Sequence, residues 1–270
     1  MPELPEVETV KETLKKIVLN KTIKEVKVYY EPMIVKPSPN EFISQLENQK
    51  IIDIKRKGKW LIFELDNYYL LSHLRMEGKY QVKDLNYPVN KHEHVSFVFD
   101  DFELRYVDTR KFGRMYLQNK ETAFNESPLS DLGLEPWDNN LTKDYLKNKY
   151  KNKSLPIKTL LLDQSIITGI GNIYDDEILF ASKINPFTKG RDLNDKQLES
   201  IITNTKIVLE KAIKKGGTTI RTYESSEGVH GRFQNELLVH TKEICPICGS
   251  KIVKTKINGR GTYYCEKCQK

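Results

Sequence analysis

The sequence predicts an α+β protein: an antiparallel β-sandwich or barrel with flanking helices, then a helical segment and a four-cysteine module. Three observations support this fold class. Between residues 20 and 117, apolar residues alternate or form short runs divided by turn signals, as in antiparallel strands. Beyond residue 142 their spacing changes to the threes and fours of helices. The 4 cysteines form two Cys-x2-Cys pairs near the end of the chain.

The first predicted element is an amphipathic helix over residues 5–18. Its apolar positions recur at spacings of three and four, and Asn20 ends it. Strands are predicted at 23–30, 51–54, 60–65, 68–74, 95–99, 104–107 and 115–117. Prolines between residues 32 and 39 indicate a loop, with a short helix over 41–48.

The segment 127–137 contains the proline, glycine and serine of a connector, so we place the domain boundary there. Helices are predicted at 142–152, 156–163, 172–183 and 194–214, and Gly216-Gly217 ends the last one. The expected organisation is a first domain over 1–130, a linker over 131–141, a helical domain over 142–235 and a cysteine module over 236–270.

The net charge of +7 fits a polyanionic partner but does not require one, because lysine-rich surfaces are often only solvated. The basic residues cluster, however, at 55–59, at 143–158 and in the last thirty residues, which favours nucleic acid. No apolar run is long enough for a membrane span, and the charged N-terminus lacks the apolar core of a signal peptide. We therefore expect a cytosolic protein with no membrane partner.

The spacing of Cys245, Cys248, Cys265 and Cys268 predicts a structural zinc site, because two Cys-x2-Cys pairs can place four thiolates around one ion and leave no open position. A disulfide pairing or free thiols are the alternatives. Between the pairs, Gly259-Arg260-Gly261 is expected at the tip of a hairpin, where Arg260 either reaches a phosphate or is an ordinary charged tip residue.

The chain begins Met1-Pro2-Glu3, directly before the first helix. If Met1 is removed, Pro2 presents a secondary amine, and α-amines have a reference pKa of about 7.7–8.0, so much of it is neutral and nucleophilic near pH 7. An amine beside a carboxylic acid suggests imine chemistry. The structural alternative is that these residues only start the helix, where proline and glutamate are favoured.

Two further segments have a functional and a structural interpretation. Gly169-Ile170-Gly171-Asn172 leads into a helix with Asn172 expected at its cap, which suggests either an anion site or a plain turn between helices. Met76 and Phe112 lie among charged and glycine residues, so they are either core residues or exposed apolar wedges that insert between bases, with Arg110 as a planar hydrogen-bonding fork.

The motifs at 1–8, 73–78, 108–113 and 169–174, together with the terminal cysteines, resemble the formamidopyrimidine-DNA glycosylases over essentially the whole chain. Each motif is ambiguous alone, but the set in this order is specific. The resemblance implies a bifunctional glycosylase and lyase. Such an enzyme excises 8-oxoguanine and ring-opened purines from duplex DNA through an N-terminal proline imine, with β,δ-elimination. It also implies a β-sandwich domain, a helix-two-turn-helix domain with a lesion-recognition loop, and a zinc finger.

By this resemblance, Pro2 is the nucleophile, Glu3 the acid–base residue, and Lys59 and Arg260 assist catalysis. Met76, Arg110 and Phe112 fill the space left by the flipped nucleotide. The other implied residues are phosphate or DNA contacts (His73, Lys158, Asn172, Arg260), lesion-recognition residues (Glu77, Thr218, Ile220, Arg221, Thr222, Tyr223) and supporting carboxylates (Glu6, Glu177).

Two alternatives remain at this point. An endonuclease VIII-like enzyme shares the fold but prefers oxidised pyrimidines, and the set at 76, 110 and 112 favours the purine enzyme. A non-catalytic zinc-containing DNA binder is the second, and the presence of both Pro2 and Glu3 argues against it. The expected cofactor is one structural zinc ion, the partner is duplex DNA with a damaged base, and we expect a monomer.

Overall fold

The computed structural model describes residues 1–218 and 232–270. Among these, residues 1–130 form one compact unit, and residues 131–218 with 232–270 form a second. Residues 131–141, expected as a linker, are grouped with the second unit, where the Leu134 backbone N–H donates to the Ile166 carbonyl at 3.1 Å.

Helix α1 spans Leu4–Val18. The first turn contains Pro5, whose missing N–H costs nothing there, and the apolar spacing places Val7, Val10 and Leu14 on one buried face. Beyond the helix, Asn20 has a φ of 63°, a left-handed conformation that asparagine tolerates and that turns the chain away. Helix α2 spans Pro39–Leu46 and begins with a capping box between Ser38 and Glu41.

Nine strands complete the first unit. They are β1 (Glu25–Val28), β2 (Ile34–Lys36), β3 (Ile51–Lys57), β4 (Trp60–Leu65), β5 (Tyr68–His73), β6 (Lys79–Lys83), β7 (Glu93–Val98), β8 (Glu103–Val107) and β9 (Arg114–Asn119). One sheet has the order β2-β9-β5-β4-β3 and the other has the order β1-β7-β8-β6.

A single apolar core contains side chains from both sheets and from α1 and α2. The predicted sandwich with flanking helices is therefore confirmed. Two strands were not predicted: β2 lies in the proline-rich stretch assigned to a loop, and β6 contains the polar sequence Lys79-Tyr80-Gln81-Val82-Lys83. The sheet is also not wholly antiparallel, because β2 pairs with β9 in parallel.

The second unit contains α3 (Lys143–Tyr150), α4 (Ile157–Leu161), α5 (Asn172–Ala181) and α6 (Asp195–Lys214). Thr142 caps α3 by accepting from the Tyr145 N–H at 3.2 Å, and Asn194 caps α6 by accepting from the Gln197 N–H at 2.9 Å. A two-stranded hairpin follows, β10 (Val253–Ile257) and β11 (Arg260–Tyr264). Among the described helices, we find none that combines the length and the apolar character needed to cross a membrane.

Candidate functional site

Pro2 and Glu3 are buried immediately before α1, and Glu3 is the N-cap residue in an extended conformation. The Glu6 carboxylate accepts a hydrogen bond from the Glu3 backbone N–H at 2.9 Å. Glu3 and Glu6 are both nearly inaccessible to solvent. The first helical turn thus fixes the backbone that carries the Glu3 side chain, and it does so beside the Pro2 nitrogen.

The β3–β4 hairpin that carries Lys59 is tied to α1 by an ion pair that the sequence did not predict. The Arg56 guanidinium donates through Nε to Glu8 Oε2 at 2.8 Å and through a terminal nitrogen to the Gly58 carbonyl at 2.9 Å. Gly58 has a φ of 57°, as the turn requires. Because the Arg56 side chain is only 8% exposed, this pair is a well-defined link between the helix and the turn next to Lys59.

His73 lies at the end of β5, buried against Trp60 with ring centroids 4.8 Å apart. Its Nδ1 accepts the Arg75 backbone N–H at 2.9 Å. Burial, then the charges of Arg75 and Lys59, lower the pKa of His73 to about 3. The imidazole is therefore neutral near pH 7, and since Nδ1 is an acceptor, the ring proton is on Nε2, which is left as a donor.

Met76 and Phe112 are exposed rather than part of the core. Met76 is 37% exposed in the loop between β5 and β6, and Phe112 is 45% exposed in the loop between β8 and β9. The Arg110 guanidinium lies over the Phe112 ring at 4.7 Å. We call residues 74–78 and 108–113 the tip loops. The two loops are also joined directly, because Thr109 Oγ1 donates to the Glu77 carboxylate.

Asp108, which had no predicted role, organises the second tip loop. The carboxylate is fully buried and accepts three backbone N–H groups: Arg110 at 2.9 Å, Phe112 at 2.9 Å and Gly113 at 2.8 Å. A carboxylate that accepts several N–H groups fixes the loop in one conformation.

In the second unit, the predicted cap of α5 is wrong by one residue. Gly171, in an extended conformation, is the N-cap, and Asn172 is the first helical residue. The Asn172 side chain, one residue inside the helix, donates through Nδ2 to the Gly261 carbonyl at 2.9 Å. This bond connects the start of α5 to the hairpin that carries Arg260.

Lys158, predicted as a phosphate or nearby DNA contact, is buried in the second unit. Its ammonium is fully buried, 2.7 Å from Asp176 Oδ1 and 3.5 Å from Asp175 Oδ2, and it donates to the Asn172 carbonyl at 3.2 Å. To touch a phosphate, Lys158 would have to leave these carboxylates. The other Asp176 oxygen lies 2.6 Å from His240 Nδ1, so a buried network links α4, α5 and the segment before the cysteines.

Glu177 is also in this region. Its carboxylate accepts the backbone N–H groups of Leu238, Val239 and His240 at 2.8, 2.9 and 2.8 Å. Burial raises the pKa of Glu177, and these three hydrogen bonds oppose the increase. Glu177 therefore holds residues 238–240 against α5.

Arg260 is the first residue of β11 and pairs with Ile257, beside the turn Asn258-Gly259. Both turn residues have positive φ, 45° and 77°, as a two-residue hairpin turn of this kind requires. A Cβ at Gly261 would meet nothing within 4 Å, so this side of the hairpin is open. Arg260 is exposed, as expected for a tip residue.

The four cysteine sulfurs lie within 4.8 Å of one another. The Sγ atoms of Cys245 and Cys268 are 3.7 Å apart, and those of Cys248 and Cys265 are 3.5 Å apart. Four thiolates about 2.3 Å from a tetrahedral zinc ion lie about 3.8 Å from each other. The four side chains therefore fit one zinc ion, and four protein ligands leave no position for a reactive water.

Of the predicted lesion-recognition residues, Glu77 is exposed in the first tip loop and Thr218 is buried after α6. Ile220, Arg221, Thr222 and Tyr223 lie outside the described residues.

Three family models match this chain. They are the "Formamidopyrimidine-DNA glycosylase N-terminal domain" over residues 1–115, the "Formamidopyrimidine-DNA glycosylase H2TH domain" over 132–224, and the "Zinc finger found in FPG and IleRS" over 242–270. With the sulfur geometry, the last match confirms the predicted structural zinc.

Curated relatives named formamidopyrimidine-DNA glycosylase are similar over the full length. The protein of Oceanobacillus iheyensis is 47% identical, covering 100% of this chain and 98% of the relative. That of Listeria monocytogenes is 45% identical, covering 100% of both. A solved complex of wild-type Lactococcus lactis Fpg (MutM) with N7-benzyl-Fapy-dG DNA has a TM-score of 0.92 at 38% identity, covering 99% of each chain. A complex of LlFpg with THF-DNA and an inhibitor has a TM-score of 0.93 at 37% identity, covering 100% of each.

Proposed function

Because this chain belongs to the formamidopyrimidine-DNA glycosylase family of DNA repair enzymes, we propose that it excises 8-oxoguanine and formamidopyrimidines from duplex DNA and then cleaves the strand. The observation that carries this proposal is full-length similarity to glycosylases of that name, combined with Pro2 and Glu3 at the start of a rigid helix. The zinc-finger match and the cationic charge of +7 support a DNA substrate.

The proposed chemistry begins when removal of Met1 leaves Pro2 as a secondary amine. The Pro2 nitrogen attacks C1′ of the damaged nucleotide, and the glycosidic bond breaks with its electron pair leaving on the base, which takes a proton. Pro2 loses its N–H proton, and the C1′–O4′ bond then breaks as O4′ takes a proton, which leaves Pro2 joined to C1′ as an iminium. The iminium withdraws electrons from the opened sugar, so loss of a C2′ proton expels the 3′ phosphate and a second elimination expels the 5′ phosphate. Glu3 is the proposed acid–base group, and Glu6 supports it by fixing its backbone.

The proposed DNA contacts in the first unit follow from exposure and donor geometry. Met76 and Phe112 fill the space of the flipped nucleotide, and Arg110 faces the orphaned base. The His73 Nε2–H is suited to a phosphate oxygen, because the neutral ring keeps that donor over the whole physiological pH range. Lys59, beside the turn held by Arg56, is the proposed cationic assistant.

In the second unit, Asn172 and Arg260 are the proposed phosphate contacts. Lys158 is better suited to position Asn172, by donating to the Asn172 backbone carbonyl, than to contact DNA itself. The zinc ion holds the hairpin that carries Arg260 and takes no part in the reaction. Glu77 and the segment Thr218–Tyr223 are the proposed lesion-recognition residues.

We also propose the division of labour expected from the sequence, with catalysis in residues 1–130, a linker at 131–141, DNA binding in 142–235 and the zinc finger in 236–270. A cytosolic location is also proposed, because the proposed substrate is chromosomal DNA. A monomer is proposed, and light scattering on the purified protein should then give 31.5 kDa.

The test of the proposed function is borohydride trapping on a duplex with 8-oxoguanine opposite cytosine. A covalent adduct should form, and peptide mapping should locate it at the Pro2 amine. Intact mass identifies the fraction that has lost Met1, and only this fraction should react. If a Met1-free preparation binds the duplex but forms no adduct, the proposed enzyme activity is wrong and the non-catalytic DNA binder is the remaining interpretation. Thymine glycol excised as fast as 8-oxoguanine would instead favour the endonuclease VIII alternative.

A further inference from the structure

The two tip loops share a support that the proposed function does not assign. Tyr106 lies in β8, the strand between β7 and β6, and its side chain is fully buried. A Cβ atom placed on Gly78 would lie 2.0 Å from the Tyr106 hydroxyl oxygen, and one placed on Gly113 would also lie 2.0 Å from it. One hydroxyl group therefore touches the backbone at the last residue of both loops.

Close approach is the reason that glycine is needed at these two positions. Neither glycine has a positive φ, so backbone conformation does not demand it. All three atoms nearest to a Cβ on Gly113 belong to Tyr106, and two of the three nearest to a Cβ on Gly78 do. Any larger residue would displace either the loop or the tyrosine ring.

The Tyr106 hydroxyl is not explained by hydrogen bonding alone. Its hydrogen bond to the His73 carbonyl is long, 3.4 Å, whereas the neighbouring Tyr80 donates to Ser72 Oγ at 2.8 Å. A buried hydroxyl with a poor partner costs stability relative to phenylalanine. What distinguishes this hydroxyl is therefore its contact with Gly78 and Gly113.

We propose that Tyr106 is a positioning residue that holds Met76 and Phe112 in one fixed arrangement through the contact of its hydroxyl with Gly78 and Gly113. The proposal rests on the proposed function of these two side chains as the wedge in flipped-out DNA. The Glu77–Thr109 hydrogen bond joins the same two loops at the surface. The tip loops are thus linked at the surface by this bond and in the interior by the Tyr106 hydroxyl. A wedge fixed before it meets DNA loses less conformational freedom on insertion.

The test is Tyr106→Phe in the full-length, zinc-loaded protein, with Tyr80→Phe as the matched control. Both changes delete one buried hydroxyl from the same pair of edge-to-face rings, but the Tyr106 hydroxyl lies against Gly78 and Gly113, whereas the Tyr80 hydroxyl donates to Ser72. In single-turnover excision of 8-oxoguanine, the enzyme concentration at half-maximal rate should rise about 3- to 10-fold for Tyr106→Phe. The maximal rate should stay unchanged, and Tyr80→Phe should match the wild type.

A double-mutant cycle separates positioning from general stability. When Met76 and Phe112 are both replaced by alanine, Tyr106→Phe should have no further effect, because no wedge remains to be positioned. An equal loss in that background, or equal behaviour of the two tyrosine variants, would overturn the proposal. A wild-type protein that forms no product would instead sink the proposed function.

Gly113→Ala disturbs the same contact from the loop side and covers the case in which Tyr106→Phe does not fold. It should raise the half-maximal concentration in the same direction, with the maximal rate retained. A wild-type half-maximal concentration for Gly113→Ala would contradict the proposal, because the added Cβ cannot fit without moving the loop or the ring.

Discussion

Replacing Asp108 tests whether the second tip loop is held by a single carboxylate. Oδ2 of Asp108 accepts from the N–H groups of Phe112 and Gly113, and Oδ1 accepts from that of Arg110. In Asp108→Asn, the amide oxygen should take the position with two donors. The amide nitrogen then faces the Arg110 N–H, and only that hydrogen bond is lost.

The size of the effect follows from the charge on the acceptor. A hydrogen bond to a charged group contributes about 1.5–3 kcal/mol. The free energy of local opening at Arg110 should fall by that amount, and its amide should exchange with solvent roughly 10- to 150-fold faster. The amides of Phe112 and Gly113 keep an acceptor, although a neutral one, and should change less than that of Arg110. In Asp108→Ala all three amides lose their acceptor and should exchange faster together.

Amide hydrogen exchange, read residue by residue by NMR, measures this prediction directly. Asp101→Asn is the matched control, since Asp101 is an exposed aspartate whose contact is with the Lys21 ammonium. It should leave all three amides unchanged. Uniform acceleration of the three amides in Asp108→Asn, or no acceleration in Asp108→Ala, would refute the argument that this carboxylate holds the loop.

Three further outcomes are expected. Because the pKa of His73 is lowered to about 3, from 6.5, the unfolded chain binds the extra proton first as pH falls. Stability should thus decline between pH 6.5 and 3 by at most about 1.4 kcal/mol per pH unit, and His73→Gln should flatten this slope in urea unfolding. Lys158→Met should destabilise the second unit by about 3–5 kcal/mol, because Asp176 loses its buried cationic partner. Lys143→Met, at a partly exposed pair, should leave denaturant midpoints nearly unchanged. Cys265→Ser should lower zinc content below one equivalent by metal analysis and weaken DNA binding. Full zinc content together with full affinity would contradict a structural metal.

Elements with a regular apolar period were predictable from the sequence. Helices α3 to α6 lie where the spacing placed them, and α6 matches its predicted bounds within a residue. The predictions from sequence were wrong where tertiary contacts override local conformational preference. Asparagine is a strong N-cap residue, yet Gly171 takes the cap position, and the Asn172 side chain, one residue inside the helix, donates to the Gly261 carbonyl. Strand β2 pairs with β9, far along the chain, and its flanking prolines give no sign of that pairing.

The exposed tip residues and the cysteine site were predictable because they occur in short motifs. Their supports were not, because each support acts on a segment distant in sequence or through a single side chain. Glu8 meets Arg56 across 48 positions. The contact of Tyr106 with Gly78 depends on the packing of β6 beside β8, and β6 itself was not predicted. Residues of this kind have no periodic signal, so only a three-dimensional structure identifies them.

Both tip loops contain features that cost free energy, namely left-handed backbone conformations and exposed apolar side chains. Arg75 and Lys111 each have a positive φ, 52° and 57°, and each immediately precedes an exposed apolar side chain. A non-glycine residue in this region costs about 1–2 kcal/mol, and exposing Met76 and Phe112 forgoes their burial. Such a conformation persists only when its surroundings determine it. The Asp108 carboxylate binds the backbone of the second loop, and the Tyr106 hydroxyl lies against the last residue of both. The proposed wedge function of Met76 and Phe112 requires such a fixed arrangement before DNA is bound.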